Sequence, residues 1–228
     1  MKRILIVVFL VLITSGIANG VVMNTKHDLT ATKNTIRAQD FKITSCQFCH
    51  TPHLQASSSF AGAPMWNRKV PTTSYSLYGG EKKATTAGTS IKQPGPTSLA
   101  CLSCHDGTLS IVDVLPGTGA DAGQPKQAAG YVDSGGKLIS AEHGLVGTDL
   151  SKQHPVGFQV NPNVAGLAPL ETMKQKKAAF YRENGGKASD GDYMECGTCH
   201  DPHESRGAYA PFLRLPKLTI CTDCHSGM

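Results

Sequence analysis

Eight cysteines fall along the chain as four pairs, each pair separated by two residues and followed at once by histidine: Cys46/Cys49/His50, Cys101/Cys104/His105, Cys196/Cys199/His200 and Cys221/Cys224/His225. No other feature restricts the fold so strongly, because every cysteine of the chain is used in it. Eight cysteines in an exported chain would ordinarily read as four disulfides, but a disulfide framework has no use for a histidine after each pair. Two zinc ribbons would take the cysteines and leave all four histidines unexplained. The arrangement is C-x-x-C-H, in which two thiols one helical turn apart reach the two vinyl edges of one porphyrin and the next imidazole lies under its iron. The sequence therefore predicts four covalently attached c-type haems, with His50, His105, His200 and His225 as proximal ligands.

Two of the motifs are extended in the same way, as CQFCHTPH at 46–53 and CGTCHDPH at 196–203. Only three residues separate His53 from His50, too few to pass around the porphyrin held by Cys46 and Cys49 to its opposite face. His53 is expected to bind a different iron, and His203 likewise; the alternative is a surface histidine after a turn-forming proline. Outside the motifs stand five histidines, His27, His53, His143, His154 and His203. Four irons need four distal ligands, so two histidines for every iron leaves one to spare. Met65, Met173 and Met194 could serve instead at some iron and would raise its potential, but the tally does not require them.

Met1-Lys2-Arg3, the apolar run from Ile4 to Ile13 and the small residues Ala18 and Gly20 have the order of a secretory signal peptide, cut before Val21. The apolar run is short for a bilayer span. An exported, soluble chain over 21–228 agrees with haem attachment outside the cytoplasm. Aromatic residues are 6% of the sequence and tryptophan occurs once, at Trp66, so something besides side chains must supply apolar bulk. With about 50 residues per porphyrin, haem itself is expected to form the core. The net charge of +5 is small and scattered, which argues against nucleic acid as a partner.

The 24 glycines and 13 prolines favour a loop-rich fold with few short helices and little or no sheet. The motifs make two halves of like grammar inside one domain, an extended motif and then a plainer one in each, at unequal spacing and so not a solenoid repeat. Residues 116–148 read as a long loop and Ile111–Leu115 as a possible short strand. The segment 170–184 places Leu170, Met173, Lys177 and Phe180 at helical spacing between Pro169 and Gly185-Gly186, and predicts a helix with Lys174, Lys176 and Lys177 on a solvated face.

TKHDLT (25–30), CQFCHTPH, MWNR (65–68), SLACLSCHDGT (98–108), DLSKQHPVGF (149–158), CGTCHDPH and CTDCH occur in an order that resembles secreted multihaem cytochromes with doubled C-x-x-C-H motifs. In haem count and size the chain looks most like the outer-surface tetrahaem cytochromes that polymerise into conducting extracellular filaments. The resemblance implies His27, His53, His154 and His203 as the distal ligands and leaves His143 as the spare. It also implies electron transport and no enzymatic turnover, along closely spaced bis-histidine haems, by a head-to-tail homopolymer serving external electron acceptors. A monomeric periplasmic shuttle is the alternative. A multihaem reductase is a further one, but it needs an iron with an open position. His27 lies on a segment with no motif to anchor it, and is expected to reach either a neighbouring subunit's iron or one of its own chain.

Overall fold

The computed structural model describes residues 22–51, 65–78, 93–116, 121–126, 130–161, 163–203 and 212–226. The signal segment and His53 lie outside these residues. Four short helices carry the regular structure: α1 (Pro96–His105), α2 (Leu170–Gln175), α3 (Cys196–Cys199) and α4 (Ile220–Cys224). Single turns of 3-10 helix cover Ser45–Phe48 and Ala141–His143. The strands β1 (Ala38–Gln39) and β2 (Gln124–Pro125) pair antiparallel, as do β3 (Phe158–Gln159) and β4 (Tyr193–Met194). The fold is therefore loop-rich, with few helices and two small sheets, and among the described residues no helix is long and apolar enough to cross a membrane.

Each haem motif is itself a helical turn. Pro96 opens α1 at a position where its missing N–H costs no intrahelical bond. Capping boxes hold the starts of two others: Thr44 with Gln47, and Glu195 with Thr198. Ser98 is fully buried on α1 and meets the start of α3, its hydroxyl accepting from Cys196 N–H at 2.9 Å.

The helix predicted over 170–184 stops at Gln175. Lys177 takes a left-handed φ of 78°, with Ala178 N–H donating to Met173 O (3.1 Å) and Lys177 N–H to Lys174 O (2.9 Å). That is a Schellman ending with lysine where glycine is usual. The cause lies beyond it: Ala178, Ala179 and Phe180 are all buried, which a helix showing one face to solvent cannot arrange. They run extended instead, with Ala179 N–H bonded to Thr198 O and Tyr181 paired with Tyr193. Lys176 is not simply solvated, since it pairs with Asp223 at 2.6 Å.

The described part of 116–148 is more ordered than a plain loop. Gln124–Pro125 pairs with β1, Val132 bridges to Leu138, and Asp133 accepts from the N–H groups of Gly135 and Lys137 to tie the turn between them. Ile111–Leu115 forms a turn and one bridge, Arg68 to Val114, in place of a strand. The polypeptide also builds apolar clusters of its own, so the core is not left to haem alone. The largest gathers Leu102, Leu150, Phe158, Met173, Phe180 and Leu215, with Cys199 and Cys224 packed against it. Met173 and Met194 lie buried there, while Met65 is exposed.

Candidate haem-binding site

Three of the four motif histidines are set by one local device. His50 bridges Trp66, His200 bridges Leu213, and His225 bridges Leu167, each pair antiparallel. In all three the second cysteine's carbonyl accepts from the residue after the bridge: Asn67 to Cys49 (2.8 Å), Arg214 to Cys199 (2.8 Å) and Ala168 to Cys224 (2.9 Å). The residue before the bridge turns through a left-handed conformation, at Met65 (φ 52°), Phe212 (φ 57°) and Gly166 (φ 85°). In the two extended motifs a side chain adds a second tie, from Asn67 to Gln47 O and from Arg214 to Gly197 O, both 2.7 Å. His105 is held otherwise, at the end of α1, where its carbonyl accepts from Val146 N–H at 2.7 Å.

Three of the histidines outside the motifs, His27, His154 and His203, have rings close to those of motif histidines. His203 lies 6.0 Å from His50 between centroids, with planes inclined by 20°. His27 stands 6.0 Å from His105 at 74°, and His154 stands 6.4 Å from His225 at 58°. An imidazole nitrogen binds a transition metal at about 2 Å, so two trans imidazoles sharing one ion have centroids roughly 6 Å apart. All three spacings fit a metal between the rings.

Burial lowers the pKa of His27 to about 4, with His105 next in effect; the Pro202 carbonyl opposes it without reaching a hydrogen bond to Nδ1. His105 and His154 are lowered too, chiefly by burial, against the carbonyls of Gly144 and Pro155. Neutral imidazole is the form that binds a metal. Nδ1 of His105 donates to Gly144 O at 2.6 Å, which leaves Nε2 as the free lone pair; His154 makes the same kind of bond to Pro155 O at 3.0 Å. His203 instead sets Nδ1 3.3 Å from Asp201, whose other oxygen takes Arg214 at 2.8 Å. Bonding to His203 first, then Arg214 among others, holds Asp201 down to about 2.

None of the eight cysteines is in a disulfide. Among the described residues no three metal-binding side chains converge as a zinc site would need. The thiols instead lie near enough to influence one another between motifs in chain order. Burial pushes Cys49 up to about 12, with Cys104 the next cause. Cys101 and Cys196 influence each other most, the nearness of the two raising the first thiol and lowering the second. Cys199 is pushed up to about 11 by burial and then by Cys224. Cys46 and Cys221, at the two ends of this series, are the exposed ones.

The structure thus brings together His27, His154 and His203 with a motif histidine each. His53 lies outside the described residues, and His143 contributes its backbone to a 3-10 turn. Of the two destinations expected for His27, its own chain offers one, for its ring is buried against His105 and stacks on Phe212 at 4.3 Å. Sequence reading missed Phe212, Asp201 and Arg68 as neighbours of the site; only the repeated position of the return strand after each extended motif could have pointed to the first.

A family model described as a doubled CXXCH motif matches residues 188–228, which hold the third and fourth motifs. No curated protein matches the chain. Paired C-x-x-C-H sequences of this kind carry covalently bound haem c, and the match supports a multihaem c-type cytochrome of the electron-transfer class.

Proposed function

We propose that the chain is a tetrahaem electron carrier in which every iron is held by two histidines. Cys46/Cys49 hold the first haem, with His50 and His203 on its iron; Cys101/Cys104 the second, with His105 and His27; Cys196/Cys199 the third, with His200 and, by remainder, His53; Cys221/Cys224 the fourth, with His225 and His154. Haem supplies an iron that gains and loses one electron reversibly. The polypeptide would pair the imidazoles about each iron, with burial favouring the neutral form of His27, His105 and His154, and would set neighbouring attachment points close together.

The observation that carries this reading is the facing of three motif rings by three distal rings at the spacing of a shared ion. The cross-motif cysteine contacts support a relay in the order of the chain, and the exposure of Cys46 and Cys221 gives that relay two ends at the surface. Such ends suit head-to-tail assembly into an extracellular filament, in which a non-closing contact repeats without limit. The resemblance to filament-forming cytochromes favours that over a monomeric periplasmic shuttle. A reductase has no support in a ligand set that fills every iron.

Electron microscopy of the purified secreted protein tests the assembly: long filaments are expected, and monodisperse single particles would leave the shuttle. Carbon monoxide or cyanide added to the reduced or oxidised protein tests the closed irons. An unchanged absorption spectrum is expected, and stoichiometric binding would bring the reductase back.

A further inference from the structure

Arg68 is 3% exposed, and among the described residues no carboxylate stands within ion-pair distance of it. Its guanidinium donates to the Ser103 hydroxyl (3.2 Å) and carbonyl (3.3 Å), to Ser110 O (2.7 Å) and to Ile111 O (2.8 Å). Four of its five N–H groups are thereby used on neutral oxygens, which leaves no fork for a carboxylate to neutralise. A buried charge kept this way is held by geometry and acts on whatever lies near it.

What lies near it are the first two haem motifs. The residue before it, Asn67, bonds to the backbone of Cys49 and of Gln47, inside the first motif. Ser103, which takes two of its bonds, is an internal residue of the second.

The other half of the chain provides the comparison. The bridge His50–Trp66 matches His200–Leu213, so that Met65, Trp66, Asn67 and Arg68 correspond to Phe212, Leu213, Arg214 and Leu215. Where the first half buries a guanidinium, the second buries Leu215 at 1% exposure. Arg214 is one place earlier and is paired with Asp201.

We propose that Arg68 is a fixed positive charge that raises the reduction potential of the haem on Cys46 and Cys49, and less strongly that of the haem on Cys101 and Cys104, so that electrons in the relay settle in its amino-terminal half. The inference rests on the haem reading above. Reduction adds one electron to one ferric iron and takes no proton from Arg68, so the charge it meets is constant, and a nearby cation favours the reduced state. Other charges act on the same region. Asp106 is buried near the second haem, bonded to Tyr75 Oη at 2.7 Å, and opposes Arg68 there. At the first haem, the Asp201 carboxylate beside His203 is offset by Arg214.

The test is a redox titration of the four-haem protein and of its Arg68→Gln and Arg68→Lys variants, each haem assigned through the NMR signals of its own axial histidines. In the natural protein the haem on Cys46 and Cys49 is expected to reduce before that on Cys196 and Cys199. Arg68→Gln, once mass spectrometry shows four haems and EPR shows all low-spin, should lower the reduction equilibrium of the first haem about tenfold, which is 59 mV for one electron. Arg68→Lys keeps the charge and should stay within about threefold of the natural protein. Unchanged potentials in Arg68→Gln would overturn the proposal. So would reduction of the haem on Cys196 and Cys199 before that on Cys46 and Cys49 in the natural protein, a result that decides even if Arg68→Gln fails to mature. Fewer than four haems, or a high-spin iron, in the natural protein would overturn the haem reading itself.

Discussion

His203 lies parallel to His50, ring centroids 6.0 Å apart, although it follows the third motif in the chain and His50 ends the first. A histidine placed directly after the third motif thus faces the histidine that ends the first. On this account His203→Ala leaves all four haems attached by mass spectrometry but converts one iron, that on Cys46 and Cys49, from low spin to high spin. An EPR spectrum identical to that of the natural protein would show that His203 is a surface residue.

His27 and His154 are expected to act within their own chain, on the haems of Cys101/Cys104 and Cys221/Cys224 respectively. Each change to alanine should give one five-coordinate iron even in dilute monomeric protein. His143→Ala should leave the spectrum unaltered. If the His27 variant lost ligation only when the protein assembled, the ligand would be crossing between subunits after all.

Glu195 is 2% exposed, caps α3 and accepts a short hydrogen bond from the Ser98 hydroxyl of α1, which in turn accepts from Cys196 N–H at 2.9 Å. Burial raises its carboxyl from 4.5 to about 7, against the Ser98 bond. The folded chain then keeps a proton that the unfolded chain gives up. The contribution of Glu195 to stability is therefore fully present below 4.5, is lost as pH rises to about 7, and is level above it. The loss amounts to up to about 3 kcal/mol. Denaturant unfolding of the haem-loaded protein across this range should show the slope, and Glu195→Gln should flatten it; equal slopes in both would contradict the assignment.

Gly95 caps α1 with an extended backbone that any residue can adopt, so its identity is not a matter of φ. A Cβ there would collide with the Glu195 carboxylate. Gly95→Ala should destabilise the chain by about 1–3 kcal/mol, and much less in the Glu195→Gly background. Equal losses in the two backgrounds would mean that the clash is elsewhere.

How far the sequence foretold this arrangement depends on whether a property repeats in the residues themselves. C-x-x-C-H does, and so does the second histidine of the extended motifs; both were legible because they recur residue for residue. The bridge that holds His50, His200 and His225 was not, since its left-handed corner is methionine, phenylalanine and glycine in turn. The helix at 170–184 was half legible: Leu170 and Met173 keep the period, but Phe180 is buried by a turn at Lys177 that no glycine announces. Burial of Ala178–Phe180 beside α3 overrode their helical propensity. Arg68 looked like any surface arginine, because nothing local marks the carbonyls of Ser103, Ser110 and Ile111 that receive it.

The central claim is that two histidines close every iron of a four-haem chain. Quantitative EPR of the fully oxidised protein, normalised to polypeptide, tests it most directly. The account predicts low-spin ferric signals totalling four spins per chain, with no stoichiometric high-spin component. A total below four, or one high-spin iron per chain, would contradict it.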